Sequence, residues 1–329
     1  MRNVAVLGAG AWGTALAVLL STKGLNTTLW SRSLSQVQDM SARRENIKYL
    51  PGIVLPETLT LTADPAEAVV GADFVLSVIP AQHWRAEGAQ FETVLHKNIP
   101  ILLCMKGIEQ GSLLLPHEVT AKILPGRPVA LLSGPSFASD VAAGLPTAVT
   151  LAAEDAPLAK VLADVVSAPT FRPYHTRDIT GVALGGAAKN VLAIACGIVT
   201  GAGLGESARA ALASRGFAEI LRLAQALDAR QETLIGLSGL GDLMLTCASP
   251  QSRNMAYGLA LGEGADPADL LAKTGSVVEG AHTAEALIAL AHRHDIEMPL
   301  AEAVQDVVSK AITVPDAIKL LLARPLKAE

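Results

Sequence analysis

From its start to about residue 180 the chain alternates short apolar runs with amphipathic stretches. That rhythm predicts repeated strand–helix units and a mainly parallel sheet. Strands are expected at Val4–Leu7, Thr27–Trp30, Phe74–Ile79, Ile101–Met105, Val129–Leu132 and Thr147–Leu151, each largely aliphatic or β-branched and punctuated at its ends. One intervening helix has a clear start: Asp64 as N-cap, Pro65 in the first turn and Glu67 three residues after the cap. Beyond Asp178 the strand signals stop and helical periodicity takes over, as in Ala208–Leu227, Glu279–His294 and Leu300–Lys310. The expected organisation is an α/β domain over residues 1–180 and an all-α domain over 181–329, with a short junction near Tyr174–Thr180 and a shared cleft. No internal repeat or low-complexity linker interrupts it.

At 329 residues, two domains of ordinary size can each bury a core without disulfides or metal. Half of the residues are hydrophobic and only 3% aromatic, so Ala, Val, Leu and Ile must fill the interior. A net charge of −5 with no run of Lys and Arg gives no footprint for nucleic acid or an anionic membrane, which leaves small molecules as the expected partners. Cys104, Cys196 and Cys247 form no CxxC and sit in apolar segments, a usage that suits a reducing cytoplasm. The apolar stretch after Arg2 resembles a secretory signal, but the three glycines within it argue against one. Val191–Gly205 is short of the roughly 20 residues a span needs, follows Lys189, and reads as a buried helix with its loop.

Gly8-Ala9-Gly10-Ala11-Trp12-Gly13 follows the first strand and opens a helix expected from about Thr14, the context that gives GxGxxG its meaning. The first glycine permits a tight turn, the second lets backbone approach a pyrophosphate, and the third lets helix and strand pack closely. The helix N-terminus supplies N–H groups to the anion. At the end of the second strand, where an acid would bond the ribose 2′-hydroxyl of NAD, Trp30-Ser31-Arg32-Ser33 offers a guanidinium and two hydroxyls instead. That set suits a 2′-phosphate and favours NADP (NADPH) while leaving NAD open. The alternative is that Arg32 is a surface cation stacked on adenine.

Along nearly its whole length the chain resembles the bacterial NAD(P)-dependent glycerol-3-phosphate dehydrogenases. The resemblance is carried by Gly8 to Ala17, Lys106-Gly107-Ile108-Glu109, Ser133-Gly134-Pro135-Ser136-Phe137-Ala138, Leu184-Gly185-Gly186-Ala187-Ala188-Lys189-Asn190-Val191, Gly239-Leu240-Gly241-Asp242-Leu243, Ser252-Arg253-Asn254 and Val278-Glu279-Gly280, in that order. It implies a Rossmann-type N-terminal domain, an all-α C-terminal domain of the 6-phosphogluconate dehydrogenase-like kind, and reduction of dihydroxyacetone phosphate to sn-glycerol 3-phosphate for glycerophospholipid synthesis. By resemblance Lys189 matches the catalytic lysine, and Lys106, Gly134, Ser136, Asp242, Ser252, Arg253 and Asn254 match substrate contacts. Gly8, Gly10, Ala11, Trp12, Gly13, Arg32, Tyr49, Lys106, Ala138, Arg253, Val277 and Glu279 fall where family members approach the dinucleotide. Ala183 and Ser207 depart from the pattern, standing where many relatives carry Glu and Asn.

The residue types fit the reaction. Reducing a ketone takes a hydride on one face of the carbonyl and a proton at its oxygen as negative charge builds there. A free lysine, with a pKa of about 10.4, is a sluggish acid at neutral pH, so burial and Lys106 are expected to lower that of Lys189. Asp242 acts in the opposite sense and suits an orienting role, with Asn190 holding the same geometry; read alone, Asp242 is equally a helix cap and Lys189 a cation at a helix end. Ser252-Arg253-Asn254 precedes an expected helix, where side chains and terminal amides can converge on a phosphate; a surface-loop arginine is the plain alternative. No Cys, Asp and His set makes a zinc site: His292 and His294 read as helix-surface residues and His83 as structural or solvent-facing. Two other functions stay open, a related β-hydroxyacid dehydrogenase and a nicotinamide-binding redox sensor, although the Lys189, Asp242 and Lys106 set argues against the sensor. The Ala-rich helical domain offers a surface for a homodimer, a state the sequence does not fix.

Overall fold

The computed structural model of the protein describes residues 1–274 and 278–325. It divides into two compact units, one comprising Met1–Lys106 and Leu114–Ala183, the other Gly107–Leu113 and the chain from Leu184 onward. The first runs β1 (Asn3–Leu7), α1 (Ala11–Thr22), β2 (Asn26–Trp30), α2 (Leu34–Arg43), β3 (Glu45–Asn46), β4 (Leu50–Val54), β5 (Thr60–Thr62), α3 (Pro65–Val69), β6 (Phe74–Ser77), α4 (Ala81–Ala89), β7 (Ile101–Leu103), α5 (Pro116–Ile123), β8 (Val129–Ser133), α6 (Ala138–Ala142), β9 (Thr147–Ala152), α7 (Ala156–Val166) and β10 (Phe171–Thr176).

Its main sheet has eight strands in the order β10-β9-β8-β7-β6-β1-β2-β5. From β8 to β5 every pair is parallel; β9 pairs with β8 antiparallel and carries β10 parallel to itself. The chain leaves β1 towards β2 and later returns on its other side with β6, so the strand order reverses at β1. In such sheets a crevice opens beyond the strand ends at that reversal, and here the glycine loop occupies it. Val4, Val6, Leu16, Leu20, Leu29, Phe74, Leu102 and Leu132 join one core beneath the loop, aliphatic as the composition requires.

All six expected strands form, and four further strands, β3, β4, β5 and β10, accompany them. The hairpin β3–β4 and the short β5 had too little alternation to stand out. Phe171–Thr176, which overlaps the expected junction at Tyr174–Thr180, is an edge strand, where Pro173 is tolerated because one side of the strand lacks a neighbour. The expected cap at α3 is present: Asp64 accepts from Ala66 N at 2.7 Å and Glu67 N at 2.9 Å. Glu67 does not close a capping box; its carboxylate accepts the Thr62 hydroxyl at 2.5 Å.

The second unit continues with α8 (Ile179–Gly201), α9 (Glu206–Ala226), α10 (Gln231–Leu234), a π-helical turn (Leu237–Gly241), α11 (Asp242–Ala248), α12 (Arg253–Gly262), α13 (Pro267–Thr274), α14 (Glu279–Arg293), α15 (Pro299–Val308) and α16 (Val314–Leu322), with no strand among its described residues. α8 has 23 residues and begins well before Val191, so it is long and apolar enough to cross a membrane, yet its apolar window is wholly buried inside the protein. All three cysteines are free and buried.

Candidate active site

In the first unit the helix after the glycine loop starts at Ala11, three residues before the expected Thr14, with Gly10 as its extended N-cap. Gly13 therefore lies inside the first turn. A Cβ there would stand 1.8 Å from the Gly8 carbonyl oxygen, so only glycine lets α1 pack onto the loop. Gly8 itself has φ +114°, a conformation that side chains disfavour. Nothing lies within 4 Å of where a Gly10 Cβ would project, and no side chain caps α1. Its first N–H groups are thus a cradle for an anion. Two amides that the sequence did not single out fix the loop: Gln36 Nε2 donates to the Ala9 carbonyl at 2.7 Å, and buried Asn46 donates to it at 3.0 Å and to Thr14 Oγ1 at 2.7 Å. Trp12 packs against the core, Ala11 is half-buried, and Tyr49 sits half-buried in the β3–β4 turn beside the Lys48 ammonium.

Beyond β2, Arg32 is exposed and pairs with Glu87 of α4 at 2.8 Å. Ser33 caps α2 by accepting from Gln36 N at 3.2 Å, and its hydroxyl meets that of Ser35 at 3.0 Å. Ser31 does not belong with them as the sequence suggested. It is buried, and its hydroxyl donates to Gln36 Oε1 at 2.8 Å.

Three expected substrate contacts meet at one carbonyl. Lys106 Nζ, at the end of the segment after β7, donates to Gly134 O at 3.4 Å, and Ser136 Oγ donates to the same oxygen at 3.0 Å. Gly134 has φ +150°, and a Cβ on it would lie 2.8 Å from Val149 Cα, so the turn after β8 needs glycine on both counts. Ala138 opens α6, which packs on α1.

In the second unit Lys189 lies within α8 rather than at a helix end. Its buried ammonium donates to Asp242 Oδ1 at 2.5 Å and to Thr246 Oγ1 at 2.7 Å. Thr246 gives its own proton to the Asp242 carbonyl at 2.6 Å, which leaves its oxygen lone pairs to face the ammonium. Asp242 is the first residue of α11, but its carboxylate is spent on Lys189 and not on a cap. One turn before Lys189, a Cβ on Gly185 would lie 2.9 Å from the Ser238 carbonyl oxygen, so the small residues around Lys189 let the π turn carrying Asp242 come close.

Ser252 is the N-cap of α12, accepting from Met255 N at 3.3 Å, and Arg253 and Asn254 form its first turn, not a loop before it. Arg253 is exposed. Asn254 Oδ1 accepts from Gly280 N at 2.9 Å, so its amide N–H groups face elsewhere. A glycine seam sets the height of this helix tip. A Cβ on Gly258 would lie 2.1 Å from Ile194 O, and one on Gly262 would lie 2.3 Å from Ile198 O. α8 and α12 therefore run side by side in the same direction, and the start of α12 falls level with Asn190. Gly280 marks the junction, since a Cβ there would meet both Asn190 O at 2.6 Å and Asn254 Oδ1 at 2.9 Å. Glu279 opens α14, while Val277 lies outside the described residues.

Comparison with known proteins shows the family. Residues 3–159 match the family model for the NAD-dependent glycerol-3-phosphate dehydrogenase N-terminus, and residues 178–319 match the model for its C-terminus. The chain belongs to the NAD-dependent glycerol-3-phosphate dehydrogenase family. It is 52% identical to the glycerol-3-phosphate dehydrogenase (NAD(P)+) of Parvibaculum lavamentivorans, over 100% of this chain and 98% of that one. It is 51% identical to the enzyme of the same name from Caulobacter vibrioides, over 100% and 99%. The crystal structure of glycerol-3-phosphate dehydrogenase from Coxiella burnetii superposes with a TM-score of 0.94 at 42% identity, covering 98% of this chain and 99% of that one. A ketopantoate reductase from Ralstonia eutropha shares the fold, with a TM-score of 0.61 at 17% identity.

Within this glycerol-3-phosphate dehydrogenase fold, Thr246 is the residue that sequence reasoning missed beside Lys189. Its spacing was a usable signal, because positions four apart share a helix face and Thr246 follows Asp242 by one turn. Ala183, one of the two departures, is buried in α8, and Ser207, the other, is exposed in the first turn of α9.

Proposed function

We propose that this family member catalyses the NAD(P)H-dependent, reversible reduction of dihydroxyacetone phosphate to sn-glycerol 3-phosphate, and so supplies glycerophospholipid synthesis. The observation that carries the proposal is the buried Lys189–Asp242–Thr246 cluster held level with the tip of α12. On this reading residues 1–180 bind the dinucleotide and residues 181–329 bind and protonate the substrate.

The glycine loop suits a dinucleotide: open space at Gly10 and uncapped amides at the start of α1 form an anion cradle that side chains would fill. Gly8, Gly10, Ala11, Trp12, Gly13 and Ala138 line that end, Arg32 takes the adenosine 2′-phosphate, and Tyr49, Arg253, Val277 and Glu279 complete the set. When bound, the reduced nicotinamide supplies the hydride. Lys189 delivers the proton at the carbonyl oxygen from Nζ. Asp242 and Thr246 aim it, because two acceptors on one helix face fix the direction of the ammonium. On this reading the Lys189 ammonium is the source of the proton that the developing alkoxide takes. Ser252, Arg253 and Asn254 receive the phosphate with side-chain donors and the first amides of α12. Lys106, Gly134 and Ser136 supply the remaining substrate contacts on this reading. The partners on this reading are small molecules; the chain works in the cytoplasm without nucleic acid or stable membrane insertion. A homodimer is part of the reading, supported by apolar side chains that the second unit leaves exposed, Ile235 and Met244 among them.

The test follows loss of reduced-cofactor absorbance with dihydroxyacetone phosphate in the wild type and in Lys189→Ala. Wild-type turnover and a fall of about 10²–10⁴ in kcat in the variant, with cofactor affinity retained, are expected for loss of a general acid. A folded wild type that binds cofactor but does not consume it with this substrate would sink the assignment.

A further inference from the structure

One acidic side chain at the cofactor end of the first unit has no part in the chemistry described so far. Glu87, near the end of α4, meets Arg32 at 2.8 Å between Oε1 and Nη1, although 55 positions separate them in sequence. The fold makes this contact, not the local chain. Gln90 Nε2 donates to the Glu87 carbonyl at 2.7 Å and lies 3.4 Å from its Oε2. The two partners differ in freedom: Glu87 is 23% exposed and Arg32 68%. The end of β2 contributes no acid of its own, and Ser31 there is turned inward.

We propose that Glu87 is a specificity-determining residue that competes with the adenosine 2′-phosphate for the Arg32 guanidinium, and so restrains the preference for NADPH over NADH. This rests on the dinucleotide-binding role proposed above. An ion pair so open to water holds its partners weakly and can be displaced. A 2′-phosphate carries more charge than a carboxylate and can take the guanidinium bidentately, so it wins the exchange. It must still break the existing pair and then tolerate the freed carboxylate beside it. A cofactor bearing a 2′-hydroxyl leaves the pair intact and meets neither cost. Arg32 alone would make the site strongly selective for the phosphate; Arg32 with Glu87 keeps both cofactors within reach.

The test measures equilibrium binding of NADPH and NADH to the full chain by calorimetry, without substrate, so that it reads affinity and not turnover. Glu87→Gln, which keeps the side-chain shape, is expected to tighten NADPH by about fivefold and leave NADH within about twofold, the scale of one screened charge near the surface. Glu92→Gln makes the same change in net charge at an exposed position just beyond α4 and is expected to leave the NADPH-to-NADH ratio unchanged. An unchanged ratio in Glu87→Gln, weaker NADPH binding in it, or an equal shift in Glu92→Gln overturns the role of Glu87 while the function proposed above stands. A folded wild type that binds neither nucleotide overturns both.

Discussion

Arg32 and Glu87 meet at 2.8 Å with 68% and 23% of their side chains exposed, whereas Lys189 and Asp242 meet at 2.5 Å with 8% and 1% exposed. The charges are of the same kinds and the distances are similar, but the surroundings assign them opposite uses. A pair in water is cheap to open, so its cation can be lent to an arriving phosphate. A pair in the interior cannot open without stranding a charge, so it holds its ammonium in one place. On the proposed function, recognition in the first unit rests on exchangeable contacts and backbone amides, and chemistry in the second on fixed ones.

The sharpest way to break this contrast is Asp242→Asn, which keeps the shape and removes the charge. Activity should fall by about 10²–10⁴ as the aim of Lys189 is lost. Stability should fall by about 3–5 kcal/mol, because the ammonium stays buried without its counter-charge. Adding Lys189→Met should restore most of that stability and none of the activity. A single variant that melts with the wild type would show that the pair is not a buried one.

A smaller effect comes from a buried carboxylate whose hydrogen-bond partners are backbone N–H groups, with the charge of Arg222 a lesser influence. Glu219 of α9 is 3% exposed and accepts from Leu300 N at 3.0 Å, at the start of α15. Burial pushes its pKa up to about 7 from an ordinary 4.5, against the backbone N–H groups of Leu300 and Ala301, which favour the carboxylate. Because the folded state holds the proton more tightly than the unfolded one, the stabilisation is complete below 4.5 and lost as pH rises through about 7. About 3 kcal/mol of stability should disappear across that window, and Glu219→Gln should flatten the loss in denaturant titrations at several pH values. The smallest effect belongs to the exposed pair: Glu87→Gln should change stability by about 0–1 kcal/mol, so that its consequence is confined to cofactor affinity.

The sequence made the strand–helix rhythm, the switch to helices near Asp178 and the glycine loop legible, because each depends on spacing within a short stretch. What it concealed depends on contacts between distant positions. Asn46 and Gln36 steady the Ala9 carbonyl from elements that have no local signature. Ser31 and Ser33 look equivalent in sequence, and only the fold turns one inward and leaves the other capping α2. The edge strand β10 carries Arg172, Pro173 and His175, a composition that hides a strand whose partner lies on one side only. The start of α8 was equally hidden, since the Gly185-Gly186 pair before Lys189 weakens a helical signal that tertiary packing then overrides.

The π turn before α11 has a consequence for chain length as distinct from side-chain chemistry. Gly241 N bonds to Gly236 O at 3.0 Å, one residue further back than a regular helix would reach. The turn therefore sets the angular phase with which α11 begins, and that phase points Asp242 and Thr246 at Lys189 together. Each residue of a helix turns the face by about 100°. Deleting one position between Leu237 and Gly241 would rotate both acceptors away at once while leaving every functional side chain in the sequence. On the proposed function, the count of residues in one short turn is as much a part of proton delivery as the lysine itself.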